Sequence, residues 1–291
     1  MKNKERAISI VLILQLVLAL LTGVLISAAE VLFKNDYLIK TLSVILLVLR
    51  YLIPIFLYCK LTEYTPFVSS LNSPHLRENS ISVRKKGFLF IFGFALAVTV
   101  LNSVGMLTDI LFSAFGQLSD EAVLQGDTVY RFIKTVCLAA IVEEILFRGA
   151  VLHAFSGRSN GTRVIISALT FALMHGNIRQ FFYAFAVGLV IAFFTVLTNS
   201  LTLAVLIHFG ANLITFVFSV LKQQLDAEVY TWVSLLVLSV FVLGAVLCAF
   251  LYFLKIREKE KSSVKTEEGR YPTELTVYLF MAAAVTVICS F

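Results

Sequence analysis

Two adjacent carboxylates, Glu143 and Glu144, stand in the run Ile141-Val-Glu143-Glu144-Ile-Leu-Phe-Arg148-Gly149, with an arginine four residues beyond the second of them. Residues i and i+4 share a helix face, so Arg148 can offset the burial of Glu144 through a charge-assisted hydrogen bond. Glu143 points about 100° away around the same helix and has no such local partner, which makes it the freer carboxylate. Two more pairs repeat the spacing: Phe171 with His175, and His208 with Asn212. A carboxylate with a histidine can orient and deprotonate a water, and a second histidine with an amide can donate to a developing oxyanion. These are the parts needed to hydrolyse a peptide bond. No Ser or Cys stands in a nucleophile context beside them, which disfavours an acyl-enzyme. The sequence holds no HExxH, GxGxxG or Walker A pattern.

The elements that must carry these residues are membrane helices. Of 291 residues 59% are hydrophobic and 14% charged, and the mean hydropathy is +0.92; an ordinary soluble domain has roughly 25% charged residues. A water-soluble globule is excluded, and lipid is the first partner the composition implies. The 24 basic residues exceed the 18 acidic ones, but they are spread between apolar segments rather than gathered with aromatics, so no nucleic acid is implied. Cys59, Cys137, Cys248 and Cys289 have neither metal-ligand nor redox spacing. The apolar run after Met1–Arg6 continues without an A-x-A cleavage site and reads as a retained first span.

About 20 apolar residues cross a hydrocarbon core roughly 30 Å thick. Stretches of that kind predict nine spans, near residues 7–28, 41–59, 87–106, 129–153, 163–178, 180–198, 201–220, 230–254 and 274–291. The fifth is short and the last ends with the chain, so a bundle of eight is the alternative. Residues 107–128, with Asp109, Asp120, Glu121 and Asp127, read as an extramembrane loop. Sixteen Lys and Arg fall in one set of alternate loops (1–6, 60–86, 158–163 and 255–270) and six in the other (34–40, 131–134, 179 and 222). Basic residues accumulate on the cytoplasmic side, so the N-terminus is placed in the cytoplasm. The expectation is thus an all-α polytopic protein of the plasma membrane, prokaryotic in type because its loops are compact. It forms one membrane domain over 1–291, with the motif core at 129–220 and a charged cytoplasmic linker at 255–273. Counted from the cytoplasmic ends, the polar groups of three helices lie at a common depth of roughly 10 to 18 Å.

An ionisable residue at membrane depth is a functional candidate by default. The bland alternative is an ion pair that only stabilises the bundle, yet one arginine cannot neutralise two carboxylates. Interhelical hydrogen bonding is the ordinary role of a membrane histidine, and the glutamates at the same depth tip His175 and His208 towards function. Arg50, the remaining intramembrane charge, is expected to pair or to snorkel. His153 and His75 read as solvated or interfacial, and Phe181-Phe-Tyr-Ala-Phe185 as packing.

The three motifs, EExxxRG at Glu143–Gly149, FxxxH at Phe171–His175 and HxxxN at His208–Asn212, resemble in order, spacing and membrane context those of the CPBP family. These are the CAAX-protease and bacteriocin-processing membrane proteases, also called the ABI family. The resemblance covers about residues 129–220. It implies an intramembrane endopeptidase in which Glu143 activates water with His175, His208 and Asn212 form the oxyanion hole, and Glu144 with Arg148 holds the first motif. The substrate it implies is a membrane-associated peptide or protein. Members have been read both as metalloproteases and as metal-free glutamic proteases. Asn212 is a poor zinc ligand and a good oxyanion donor, which favours the metal-free reading; a zinc site would draw on Glu143, His175 and His208. Two other classes stay open at this point: a bacteriocin-immunity or peptide-binding protein of the same fold, and a proton-coupled transporter, for which paired repeats are lacking.

Overall fold

A computed structural model describes residues 2–64, 83–114 and 127–263, and within them every regular element is helical. The expected span at 274–291, the end of the 255–273 linker, Cys289 and His75 lie outside the described residues. The helices are α1 (Lys2–Phe33), α2 (Asp36–Thr62), α3 (Val83–Ala114), α4 (128–154), α5 (Asn160–Leu173), α6 (Ile178–Thr198), α7 (Leu201–Gln224) and α8 (Ala227–Ser263).

Short polar residues set most of the starts. Asn35, Asp127, Ser159, Asn177 and Ser200 each accept a hydrogen bond from a backbone N–H of the first turn that follows, satisfying otherwise unpaired donors of α2, α4, α5, α6 and α7. Six helices, α1, α2, α3, α6, α7 and α8, are long and apolar enough to cross a membrane. Their outward rows, such as Ile13, Leu20 and Val24 on α1 and Leu236 and Leu243 on α8, stay exposed, as lipid-facing residues do.

Three expected boundaries shift. Helix α3 runs on to Ala114 rather than stopping at 106, because Asp109 is matched across the bundle by Arg179 at 2.9 Å and its charge does not end the helix. The fifth helix is only 14 residues long, about 21 Å at 1.5 Å per residue and short of a full span. It ends at Leu173, and Gly176 in the left-handed region (φ 66°) turns the chain into the Asn177 cap of α6. His175 therefore sits in a connecting turn. Helix α8 extends through the first part of the linker to Ser263, a stretch of Lys and Glu that favours helix.

Two apolar clusters fill the interior. One joins α1, α2, α4 and α5 through residues such as Val11, Tyr51, Phe147 and Phe171; the other joins α3, α6, α7 and α8 through Phe92, Phe194, Ile207 and Cys248. Helix α6 contributes to both. Helix α4 packs against α2, α5 and α7, which brings the glutamate pair under the polar residues of its neighbours.

Candidate active site

Helix α4 is not a regular α-helix. Two π-helical segments, Phe132–Leu138 and Ile145–Val151, bracket a six-residue α-helical piece, Ala139–Glu144, that ends on the two glutamates. In the first π segment the Ala139 N–H reaches back five residues to the Lys134 carbonyl. Neighbouring helices then supply side-chain donors to α4 carbonyls: Asn212 Nδ2 donates to Thr135 O at 2.8 Å and Ser167 Oγ to Phe147 O at 3.0 Å. Backbone irregularity at membrane depth is tolerated where neighbours satisfy the freed groups in this way, and π turns concentrate at functional sites.

Glu144 and Arg148 form the expected pair. Arg148 Nη1 donates to Glu144 Oε1 at 2.8 Å, with both side chains fully inaccessible. Arg148 Nη2 donates to the Gly188 carbonyl on α6 at 3.1 Å, and Phe171 lies under the cation at 4.5 Å, while Nε is buried without a partner. Gly188 fits this contact because a Cβ there would stand 3.2 Å from the Ala168 backbone.

His208, from α7, enters the same pocket. Its Nδ1 donates to Glu144 Oε1 at 2.7 Å, and its Nε2 lies 3.9 Å from Glu143 Oε2. One imidazole thus touches the supporting glutamate directly and faces the freer glutamate with its other nitrogen. Glu143, Glu144, Arg148 and His208 are 7%, 0%, 4% and 5% exposed, so the group of charges is enclosed by the bundle.

Glu143 has a partner that the motifs do not reveal. Tyr51 of α2, 92 residues away in sequence, donates from its hydroxyl to Glu143 Oε1 at 3.1 Å. Arg50 Nη2 in turn donates to the Tyr51 hydroxyl at 3.2 Å and lies 4.9 Å from the centre of that ring. The only sequence signal was Arg50 itself, an intramembrane charge that the three motifs left unexplained.

The remaining motif residues stand around this centre. His175 bonds through Nδ1 to the Phe171 carbonyl at 2.8 Å. A carbonyl can only accept, so the hydrogen is on Nδ1 and the neutral ring offers Nε2 as an acceptor. Phe171 is edge-on to both histidines, at 4.7 Å from His175 and 5.6 Å from His208. Among the described residues no hydrogen bond joins His175 to either glutamate, and Asn212 spends one amide hydrogen on Thr135 rather than pointing it beside His208. His153, expected to be solvated or interfacial, is half-buried: Tyr58 and Lys4 bond its two nitrogens and Tyr64 stacks on it at 3.8 Å. Phe181, Tyr183 and Phe185 pack on the first apolar cluster.

Zinc would need three or four ligands within about 2.3 Å of one point. Among the described residues no group of three or more His, Cys, Asp or Glu is arranged to hold a metal ion, so Glu143, His175 and His208 do not assemble as a ligand set.

Residues 125–214 match the family model described as type II CAAX prenyl endopeptidase Rce1-like. No curated protein and no solved structure matches the chain. The matched segment spans α4 to α7 and holds Glu143, Glu144, Arg148, His175, His208 and Asn212. Over the segment that carries all three motifs, the protein is therefore similar to the CAAX-protease family of membrane endopeptidases.

Proposed function

We propose that the protein is a membrane-embedded endopeptidase that hydrolyses a peptide bond of a membrane-associated substrate, with Glu143 as the base. The observation that carries this reading is the enclosure of two carboxylates and an imidazole around a single arginine that is already committed to Glu144. Glu143 keeps an oxygen, Oε2, that faces His208 Nε2 across 3.9 Å, while Arg148 is spent on Glu144. A carboxylate held this way in an apolar bundle is costly as mere scaffolding and useful as a base.

In the proposed reaction a water molecule gives its proton to Glu143 as its oxygen attacks the scissile carbonyl carbon. His175 Nε2 accepts the water's second hydrogen bond and fixes its lone pair towards the carbon. Charge then develops on the carbonyl oxygen. A doubly protonated His208, with Nδ1–H given to Glu144, donates from Nε2 to that oxygen, and the free amide hydrogen of Asn212 adds a second donor. On collapse the carbon–nitrogen bond breaks, and the proton held by Glu143 passes to the leaving amine. This is a glutamic rather than a metal-dependent mechanism. The similarity to type II CAAX prenyl endopeptidases supports substrates ending in a prenylated Cys-aliphatic-aliphatic-X sequence.

The test is cleavage, in lipid nanodiscs, of a quenched fluorescent peptide that ends in a farnesylated sequence of that form. Wild-type protein is expected to cleave it, and Glu143→Gln to lower turnover about 100-fold or more, the scale of a lost general base. Undiminished turnover by Glu143→Gln, or protection of cells against a peptide toxin that survives this substitution, would point instead to a binding protein of the same fold.

A further inference from the structure

We propose that Tyr51, held by Arg50, is a positioning residue that fixes the base by one oxygen and leaves the other for the water. This rests on the proposed role of Glu143. Arg50 has donors and no acceptor, so its Nη2 occupies a lone pair of the Tyr51 hydroxyl and the hydroxyl hydrogen must go elsewhere. Glu143 Oε1 receives it at 3.1 Å. Tyr51 is 2% exposed, so water does not compete for either contact.

The carboxylate is thereby made asymmetric. Oε1 is tied to α2, while Oε2 faces His208 Nε2 across 3.9 Å. A carboxylate free to rotate about its terminal torsion exchanges its oxygens; one tied at Oε1 presents Oε2 alone to the reacting water. Arg50 has no role of its own to explain its place. It makes no ion pair among the described residues, and its Nε is buried without a partner. Its placement is accounted for by the tyrosine it orients. Helix α2 is also adapted at this turn: Pro54, buried inside the helix, cannot donate to the carbonyl of Arg50 four residues back.

A tyrosine that merely glues α2 to α4 would have the same contacts, so the test must read the chemistry. In nanodiscs, the infrared carboxyl band of Glu143 is the one that Glu143→Gln removes. Tyr51→Phe, which retains the ring packed in the cluster with Leu47, Ile55 and Val142, is expected to shift that band. It should also lower kcat on the farnesylated peptide about tenfold or more, as loss of a hydrogen bond to a charged group does, with KM and the melting temperature unchanged. Arg50→Met is expected to lower kcat in the same way, Arg50→Lys to recover part of it, and the double variant Tyr51→Phe with Arg50→Met to be no worse than Tyr51→Phe alone. An unmoved band, wild-type kcat in Tyr51→Phe, or additive effects in the double variant would overturn the inference. If Glu143→Gln is inactive and Tyr51→Phe is not impaired, this inference alone fails; if Glu143→Gln retains full turnover, the proposed base fails and the inference with it.

Discussion

Adjacent in sequence, Glu143 and Glu144 are given separate partners by the bundle. Glu144 Oε1 accepts from both Arg148 and His208, whereas Glu143 Oε1 accepts from Tyr51. Arg148 thus does two things at once: it neutralises Glu144 and, through it, anchors the imidazole that faces Glu143. Taking one member from a buried ion pair leaves the other without its counter-charge in a place with no water, which typically costs about 3 to 5 kcal/mol. Arg148→Met should therefore lower stability by roughly 3 kcal/mol or more, read as a marked drop in the melting temperature of the purified protein, and should abolish cleavage as well. Glu143→Gln, which leaves that pair intact, should abolish cleavage with little change in melting. Equal melting of Arg148→Met and wild type would show that the pair has no structural part. The pair itself was legible from the four-residue spacing alone. Tyr51 was not, because a contact between residues 92 apart leaves no mark on local periodicity.

Helix α4 shows the limit of that legibility at the next scale. Six of the nine expected spans coincide with helices long and apolar enough to cross a membrane among the described residues, since length and apolarity are properties that a run of residues carries by itself. The two π segments are invisible to a 3.6-residue reading, and they change which way Thr135 and Phe147 offer their carbonyls. The same assumption of regular helix placed His175 within a span, whereas Gly176 ends that helix early and puts the imidazole in a turn. The position of α7 over α4 depends on close packing behind it. A methyl group at Gly210 would stand 2.7 Å from Phe94 Cε2 of α3, and that ring is held between Phe90 and Phe241, at 6.0 Å and 5.4 Å. Because these two rings oppose a swing of Phe94, Gly210→Ala should force α3 and α7 apart, at a cost of roughly 1 to 3 kcal/mol. Because His208 is two residues away on α7, cleavage should fall along with melting temperature. A variant that melts like wild type would show that the phenyl ring yields.

Taken as a whole, the molecule ties two of its basic segments together. At the start of α1, Glu5 pairs with Arg158 at 2.9 Å and Lys4 bonds His153 at 3.1 Å, so the N-terminus and the turn after α4 lie on one side of the bundle. Both belong to the loop set that holds 16 of the 24 basic residues. The opposite end carries Lys222 and the Asp127 cap at which α4 begins. Since short basic loops stay in the cytoplasm, the turn after α4 should face the cytoplasm and the end of α7 the outside. Glu143 would then lie about ten residues, or roughly 15 Å, from the cytoplasmic end of α4, within reach of a substrate delivered from that side. The check is labelling of intact cells with a membrane-impermeant maleimide, using a chain in which Cys59, Cys137, Cys248 and Cys289 are replaced. Ser156 and Lys222 are both exposed, so a cysteine at either position can react once the reagent reaches it. Lys222→Cys should be labelled in intact cells and Ser156→Cys only after the membrane is opened. The reverse pattern would invert the topology and place the route to Glu143 on the outer face.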